Sequence, residues 1–358
     1  TNSGTIRTWG AGSHGMAANN STVRNSGRVA TESADAYGML AENDSFAENM
    51  ATGVIHTSAE GAHGMVARDY AVATNTGEIS TSGDNAYGMM ALDVDAKVFN
   101  RYSGAKIVTS GVGAVGMVAS DECYAVNDTF AVIVTGGSGA HGMSAIELSR
   151  VENRGEILTS GDSAYGLAAF DGSGASNEAT GDIETSGKDS HGMLAAVSSD
   201  VVNWGHITTH GDGAYGMAGF SHSRAVNTGN GWIVTSGDKA YGMYGENVSE
   251  LSNSGTIVTD GEDSYGMYAN SLSTAVNSGD ITTYGSRARG MFAYLDSTVS
   301  NLGADSIVTW GESAYGMAAF DTSSADNSGS ITTHGNKATG MYAHIDSYAE
   351  NSGSITTY

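Results

Sequence analysis

Proline is absent from this 358-residue chain, and cysteine occurs once, as Cys123. Without a second thiol no disulfide can form within the chain, and no cysteine-based metal site is available. The lone thiol, in Glu-Cys-Tyr-Ala-Val-Asn, is expected at an outer or turn position without a redox role. Basic residues are scarce: 15 Lys and Arg face 39 Asp and Glu, a formal net charge of −24. That sign excludes a nucleic-acid partner, which needs positive charge against phosphate, and it favours solubility. These residues also lack a signal peptide, a lipidation motif and a transmembrane segment. No linker or shift of composition interrupts them. Glycine, by contrast, is plentiful at 51 residues, which suits short strands joined by tight turns.

The chain repeats one short sentence, close to Asn-Ser-Gly-x-Ile-x-Thr-x-Gly-x-x-Ala-Tyr-Gly-Met-x-Ala-x-x-Asp-Ser-x-Ala-x. Gly-Met marks it most clearly, from Gly15-Met16 to Gly340-Met341, with Gly166-Leu167 as the one variant. Thirteen of the 15 methionines occupy this slot, so Met is a fixed part of the unit. A period of this size without a helical pattern inside it implies a solenoid.

Three alternating stretches per unit, separated by turn residues, carry the period-2 pattern of half-buried strands. One is aliphatic-x-Asn, as in Val201-x-Asn203. The second is Ile-x-Thr-x-Gly, as in Ile257-x-Thr259-x-Gly261, and its Thr recurs from Thr8 to Thr357 beside a variable neighbour. The third is small-x-Gly-Met-x-Ala, as in Ala214-Tyr215-Gly216-Met217. The predicted fold is an all-β, parallel β-helix of about 14 coils of 24–26 residues, three short strands per coil. It is read as one repeat domain over residues 1–358. Variation in length falls directly after Asn, so one corner absorbs the insertions.

The Asn column reads as a structural ladder, each amide bonding its counterpart one coil away from a left-handed turn position. The Thr column reads as β-branched packing with local hydroxyl bonds. Strict alternation would turn the Tyr or His of Tyr-Gly-Met inward, yet that slot also holds Arg289, Thr339 and Val115. A charged Arg is rarely buried. A bulge at the Gly is therefore expected, leaving Ala and Met inside and an outward column that includes Tyr215, Tyr241 and Tyr265.

With these motifs placed on three strands, the chain resembles the repeat regions of bacterial autotransporter passengers and related large surface β-helix proteins. Asn253-Ser254-Gly255-Thr256-Ile257-Val258-Thr259 and Ala338-Thr339-Gly340-Met341 carry the likeness, which extends over essentially all residues. The resemblance implies a right-handed helix and an extracellular location at the bacterial cell surface. It is specific for architecture and says little of activity, since such repeats serve adhesins, proteases and self-associating proteins alike. The outer-membrane barrel of those proteins and any inserted globular domain are missing from these residues.

No pattern of catalysis emerges. Carboxylates recur along the chain, with no single place where the repeat breaks to pair two of them for glycoside cleavage. No nucleophile elbow or phosphate loop is present. The expected function is a non-enzymatic surface or secreted rod acting as adhesin or passenger. The alternatives are a self-assembling fibre or matrix protein and, further off, a polysaccharide-active β-helix enzyme. His14, His63, His141 and His191 are too dispersed for a metal site, and no cofactor is expected. Acidic columns, Asp84 to Glu312 and Asp44 to Asp346, could bind calcium between coils, although the nonapeptide calcium signature is absent. Ice binding would need outward Thr pairs, but Arg7, Glu184 and Val258 stand there.

One outward column is set apart as a candidate contact face. Trp9, His210, Tyr284, Trp310 and His334 follow the fixed Thr, with Val234, Val258 and Val308 beside them. Exposed aliphatic and aromatic side chains on a flat strand suit lateral packing or sugar stacking. Expected partners are other copies of the chain, or neighbouring cell-surface proteins and glycans. Neither end carries a cap, so the chain is expected to be part of a longer one or of an assembly.

Overall fold

The computed structural model describes residues 1–303 and 306–358, and within them every regular element is a β-strand. The chain divides into two compact units, Thr1–Glu184 and Thr185–Tyr358. Each is a right-handed parallel β-helix with three sheets, as the repeat predicts. Strands ending in the fixed Thr, such as Glu78–Thr81, form one sheet, and strands opening with Met, such as Met89–Leu92, form the second. Strands ending in Asn, such as Lys97–Asn100, form the third.

Each strand pairs with its counterpart one coil away, in a register that keeps like residues together. Ile79 stands beside Ile107 and Thr81 beside Thr109, and in the second unit Ile257 stands beside Ile281. A slip of one residue would turn every inward column out, so the buried face enforces this register. The Ile, Thr, Met, Ala and Asn columns are buried as predicted, with Ile257, Thr259, Met267, Ala269 and Asn253 all at 0% exposure. Each buried Ile or Met contributes roughly 1.5–3 kcal/mol relative to an exposed one.

The bulge lies between Gly and Met, where two successive residues face the interior. A Cβ on Gly242 would lie 2.2 Å from Ile257 Cγ2 and 2.6 Å from the Gly266 carbonyl oxygen. The glycine thus opens the space into which the next coil's Ile packs. Met243 follows, also buried, and Ala240 before it is buried too, so Tyr241 between Ala and Gly points away from the core.

The Asn ladder is present in both units. Asn49 Nδ2 donates to Asn75 Oδ1 at 2.8 Å, and Asn253 Nδ2 to Asn277 Oδ1 at 2.8 Å. The ladder asparagines are not in the left-handed region, however. Each ends a strand, and its side chain closes the following turn: Gly255 N–H donates to Asn253 Oδ1 at 3.2 Å, and Nδ2 donates to the Gly255 carbonyl. The left-handed residues sit elsewhere, as pairs before the third strand, such as Asn247 (φ 56°) and Val248 (φ 64°). The acidic set Asp44, Asp121, Asp171, Asp296, Asp321 and Asp346 occupies these paired positions, which Asp tolerates well.

Thr hydroxyls bond locally at only part of their column. Thr209 Oγ1 donates to the Ala214 carbonyl at 3.0 Å, whereas the Thr31, Thr57 and Thr259 hydroxyls are buried without a partner. Shape, more than hydrogen bonding, holds this column. Cys123 departs from expectation, being buried instead of outer. It replaces Ser in a buried ladder in which Ser149 N–H donates to Ser173 Oγ at 3.1 Å; its own N–H donates to Ser149 Oγ at 3.0 Å. Burial pushes its thiol up to about 11, which keeps it protonated and unreactive.

Candidate interaction face

The Gly-Met sheet turns three positions per coil away from the core: the residue before Gly, the one after Met and the one after Ala. The second is largely covered by its neighbours, as at Tyr244 and Phe292. In the second unit Tyr or Phe fills four of the seven positions in each of the first two columns and three in the last. Tyr215, Tyr241 and Tyr265 stack on consecutive coils, with centroids 4.9 and 4.8 Å apart and rings within 8° of parallel. The inter-strand spacing sets this distance, so ring stacking follows from register without any adjustment. In the next column Tyr244 packs against Tyr268 at 5.2 Å, and Tyr268 against Phe292 at 4.9 Å. Phe320, in the third, meets Phe292 at 5.2 Å and Tyr342 at 5.6 Å.

Arg289 interrupts the tyrosine stack and lies among the rings. Its guanidinium carbon is 4.0 Å from the Phe292 centroid and 4.7 Å from that of Tyr265, whose hydroxyl accepts Nη1–H at 2.9 Å. Its Nε is buried without a hydrogen-bond partner, and no carboxylate forms a salt bridge with it among the described residues. Cation–π contacts hold the charge in place of a counter-ion. Burial, reinforced by nearby carboxylates, pushes the Tyr215 hydroxyl up to about 12; burial and neighbouring phenols move Tyr241 still further in the same direction. These hydroxyls therefore remain neutral hydrogen-bond donors throughout physiological pH.

In the first unit the same sheet is built differently. His alternates with Tyr: His14–Tyr37, Tyr37–His63 and His63–Tyr87 stack at 4.7, 5.2 and 4.7 Å. Each imidazole also accepts a backbone hydrogen bond from the next coil. Tyr87 N–H donates to His63 Nδ1 at 3.0 Å, and Tyr165 N–H to His141 Nδ1 at 3.0 Å. An imidazolium could not accept, and burial holds both His63 and His141 down at about 4. In two coils of the second unit a carbonyl takes the place of the imidazole: Tyr315 N–H donates to Ala288 O and Thr339 N–H to Ala314 O. There the strand lengthens to six residues, Tyr315–Phe320 and Thr339–His344.

The outward column singled out from sequence lies on the Thr sheet. Trp9, in the first unit, is exposed. In the second unit Trp310 and His334 stack at 3.9 Å, and His334 stacks on Tyr358 at 4.7 Å. Tyr284 is exposed, and His210 Nδ1 lies 3.1 Å from Ser236 Oγ. Val234 pairs with Val258 in register, while Thr282 separates Val258 from Val308. The column is thus a short stack near Trp310 with separate residues elsewhere. Sequence reasoning missed Trp232, exposed beside Val234 and His206 over a shallow 200 Å3 hollow. It also missed the rings after Met and after Ala. Their signal was available in the run Phe220, Tyr244, Tyr268, Phe292, Tyr294, Phe320, Tyr342 at the variable slots of Gly-Met-x-Ala-x.

The acidic turn columns serve the backbone. Asp212 Oδ1 accepts the Asp238 N–H at 3.0 Å, and Asp238 Oδ1 accepts the Glu262 N–H at 2.9 Å. Among the described residues no group of three or more His, Cys, Asp or Glu could hold a metal ion. No helix among them is long and apolar enough to cross a membrane.

Comparison with known proteins agrees with this architecture. The family model described as the BigA third pectate lyase-like domain matches residues 1–104, 93–215 and 213–304. A β-helix chain from the cryo-EM structure of the Vag8-C1 inhibitor complex superposes with a TM-score of 0.66 at 15% identity. The match covers 98% of this chain and 94% of that one. No curated protein matches in sequence. The fold is that of the bacterial autotransporter passengers whose repeats the sequence resembles.

Proposed function

Because this chain belongs to the family of the BigA third pectate lyase-like domain, we propose that it is a non-enzymatic attachment module displayed on, or released from, a bacterial surface. The observation that carries this reading is the aromatic face of the second unit, with Arg289 held among its rings without a salt bridge. Tyr and Arg are the residues that dominate binding energy at protein interfaces, and a desolvated, unpaired guanidinium is a ready anchor for a partner's carboxylate. The Vag8 neighbour is seen in complex with C1 inhibitor, which supports a protein as the class of partner. The likeness to pectate lyase in the family's description concerns the fold, and the turn carboxylates at Asp212 and Asp238 are engaged by backbone N–H groups. The Trp310–His334 stack and the column around it offer a second, smaller contact surface on the Thr sheet.

Beads coated with the purified chain, counted on cultured cell monolayers and on bacterial lawns, test the proposal. Coated beads are expected to attach at least about fivefold more than bare beads, through an interface of hot-spot character. Attachment should fall when Arg289→Gln and Tyr268→Ser are combined. Equal attachment of coated and bare beads on every surface would overturn the adhesin reading.

A further inference from the structure

The corner after Asn varies in length, and in the first unit this variation builds a cavity. Asn153-Arg154-Gly155-Glu156 keeps the short form, while the coils on either side insert two residues, giving Asp128-Thr129-Phe130-Ala131 and Glu178-Ala179-Thr180-Gly181. Both longer corners close as tight turns, Ala131 N–H donating to Asp128 O at 3.0 Å and Gly181 N–H to Glu178 O at 2.7 Å. The short corner becomes the floor of a notch of about 500 Å3, within the range of small-ligand sites. Phe130 and Thr129 form one wall, Thr180 and Asp182 the other, with Arg154 and Glu156 on the floor.

Phe130 supplies the aromatic part of the wall. Its ring is 75% exposed, and its backbone sits at φ 68°, a region that bulky residues seldom adopt. Thr180, at the matching place in the next insertion, is not left-handed, so the turn does not require this conformation. Tyr70, Tyr102 and Leu148 are likewise exposed at positive φ, and what sets Phe130 apart is its place on the wall of this cavity. The floor is preorganised as well. Arg154 Nε donates to Glu152 Oε1 at 2.6 Å and Nη1 lies 3.6 Å from Asp128, while Tyr124 donates its hydroxyl to the same Glu152 carboxylate. The Arg154 charge is thus balanced internally. Glu156 and Asp182 form no salt bridge among the described residues and remain available as acceptors.

We propose that this notch binds a neutral pyranose ring. The C–H face of such a sugar would lie on Phe130, and its hydroxyls would donate to Glu156 and Asp182 with Thr129 and Thr180 alongside. Uronic or sulfated sugars are disfavoured, because the two carboxylates repel them. The site lies in the first unit, apart from the aromatic face of the second, and stands or falls independently of it.

Saturation-transfer NMR on the 358-residue chain decides the matter, using methyl glycosides of glucose, galactose, mannose and N-acetylglucosamine, with galacturonate and choline as comparators. At least one neutral glycoside should show transfer, with galacturonate silent. Phe130→Trp should retain binding. Phe130→Asn, whose backbone suits this φ, should weaken it about tenfold while the melting temperature stays level or rises. Thr180→Arg, filling the notch from the opposite wall, should also abolish binding. Absence of transfer to every neutral glycoside overturns the proposal. So does stronger binding of choline, or an affinity unchanged by Phe130→Asn.

Discussion

The Gly-Met sheet takes two forms on one backbone. In the first unit the slot after Met holds only small or aliphatic residues, such as Leu40, Val66, Met90 and Val118; in the second Tyr244, Tyr268, Phe292 and Tyr342 join Leu194, Ala218 and Ala318 there. Register is the same in both, Leu40 beside Val66 and Tyr244 beside Tyr268, over buried columns of Met and small residues. Leu167 takes one Met slot of the first unit, and Gly219 and Gly245 take two Ala slots of the second. The core therefore places no demand on what faces outward. Imidazoles that accept N–H groups complete the backbone at His14, His63 and His141 in the first unit and at His191 in the second. The second unit concentrates rings and a guanidinium on this sheet, among them Tyr265, Phe292 and Arg289.

The largest test asks whether the cores are as equivalent as they look. Ile79→Asp and Ile257→Asp each place an unpaired charge at a fully buried position, and each should cost about 4 kcal/mol or more. Local unfolding followed by hydrogen exchange should report comparable losses in the two units; a large asymmetry would break the comparison. Gly64→Ala and Gly242→Ala come next. The added Cβ would meet Ile79 Cγ2 at 2.3 Å and Ile257 Cγ2 at 2.2 Å, so each should destabilise by about 3 kcal/mol. Calorimetric unfolding measures this, and a neutral effect would show that the coils can spread apart.

Acidity should separate the coils closed by an imidazole from those closed by a carbonyl. His63 and His141 are held from 6.5 down to about 4, chiefly by burial, with Asp35 opposing this at His63. The unfolded chain therefore takes up protons first as pH falls. Stability should be unaffected above pH 6.5 and decline between 6.5 and about 4, by on the order of 3 kcal/mol per histidine. Exchange of the Tyr87 and Tyr165 amides should accelerate in that window, and those of Tyr315 and Thr339, bonded to carbonyls, should not. Uniform behaviour of the four amides would remove the distinction. The smallest effect is expected at the aromatic face itself. Tyr268→Leu and Arg289→Met should each cost about 0.5–1.5 kcal/mol in thermal unfolding, since their contacts are made at the surface. A loss like that at Ile257 would mean the face belongs to the core.

Much of this was legible in the chain. Ile257, Thr259, Met267 and Asn253 recur because each touches its own counterpart, so periodicity alone identified them as interior. Arg289 in a tyrosine slot was enough to place the bulge. The Asn ladder was legible as a ladder but not in its backbone, because a side chain that closes a turn from a strand end looks the same in sequence as one in a left-handed position. Cys123 was misplaced because the buried Ser ladder it joins is polar and adjoins a turn, where solvent is the ordinary expectation.

Sequence by itself determined the coil, its three strands, its register and the corner that tolerates insertions, since every inward residue must match the one above and below. Tertiary structure alone decided what the variable residues do. Phe130 and Thr180 become walls of one notch only because a short corner lies between two long ones. Tyr265, Phe292 and Arg289 meet only because coiling brings residues a full repeat apart to within a ring's width. Outward positions are unconstrained by the core, so their partners are set by neighbours across coils that no local pattern records.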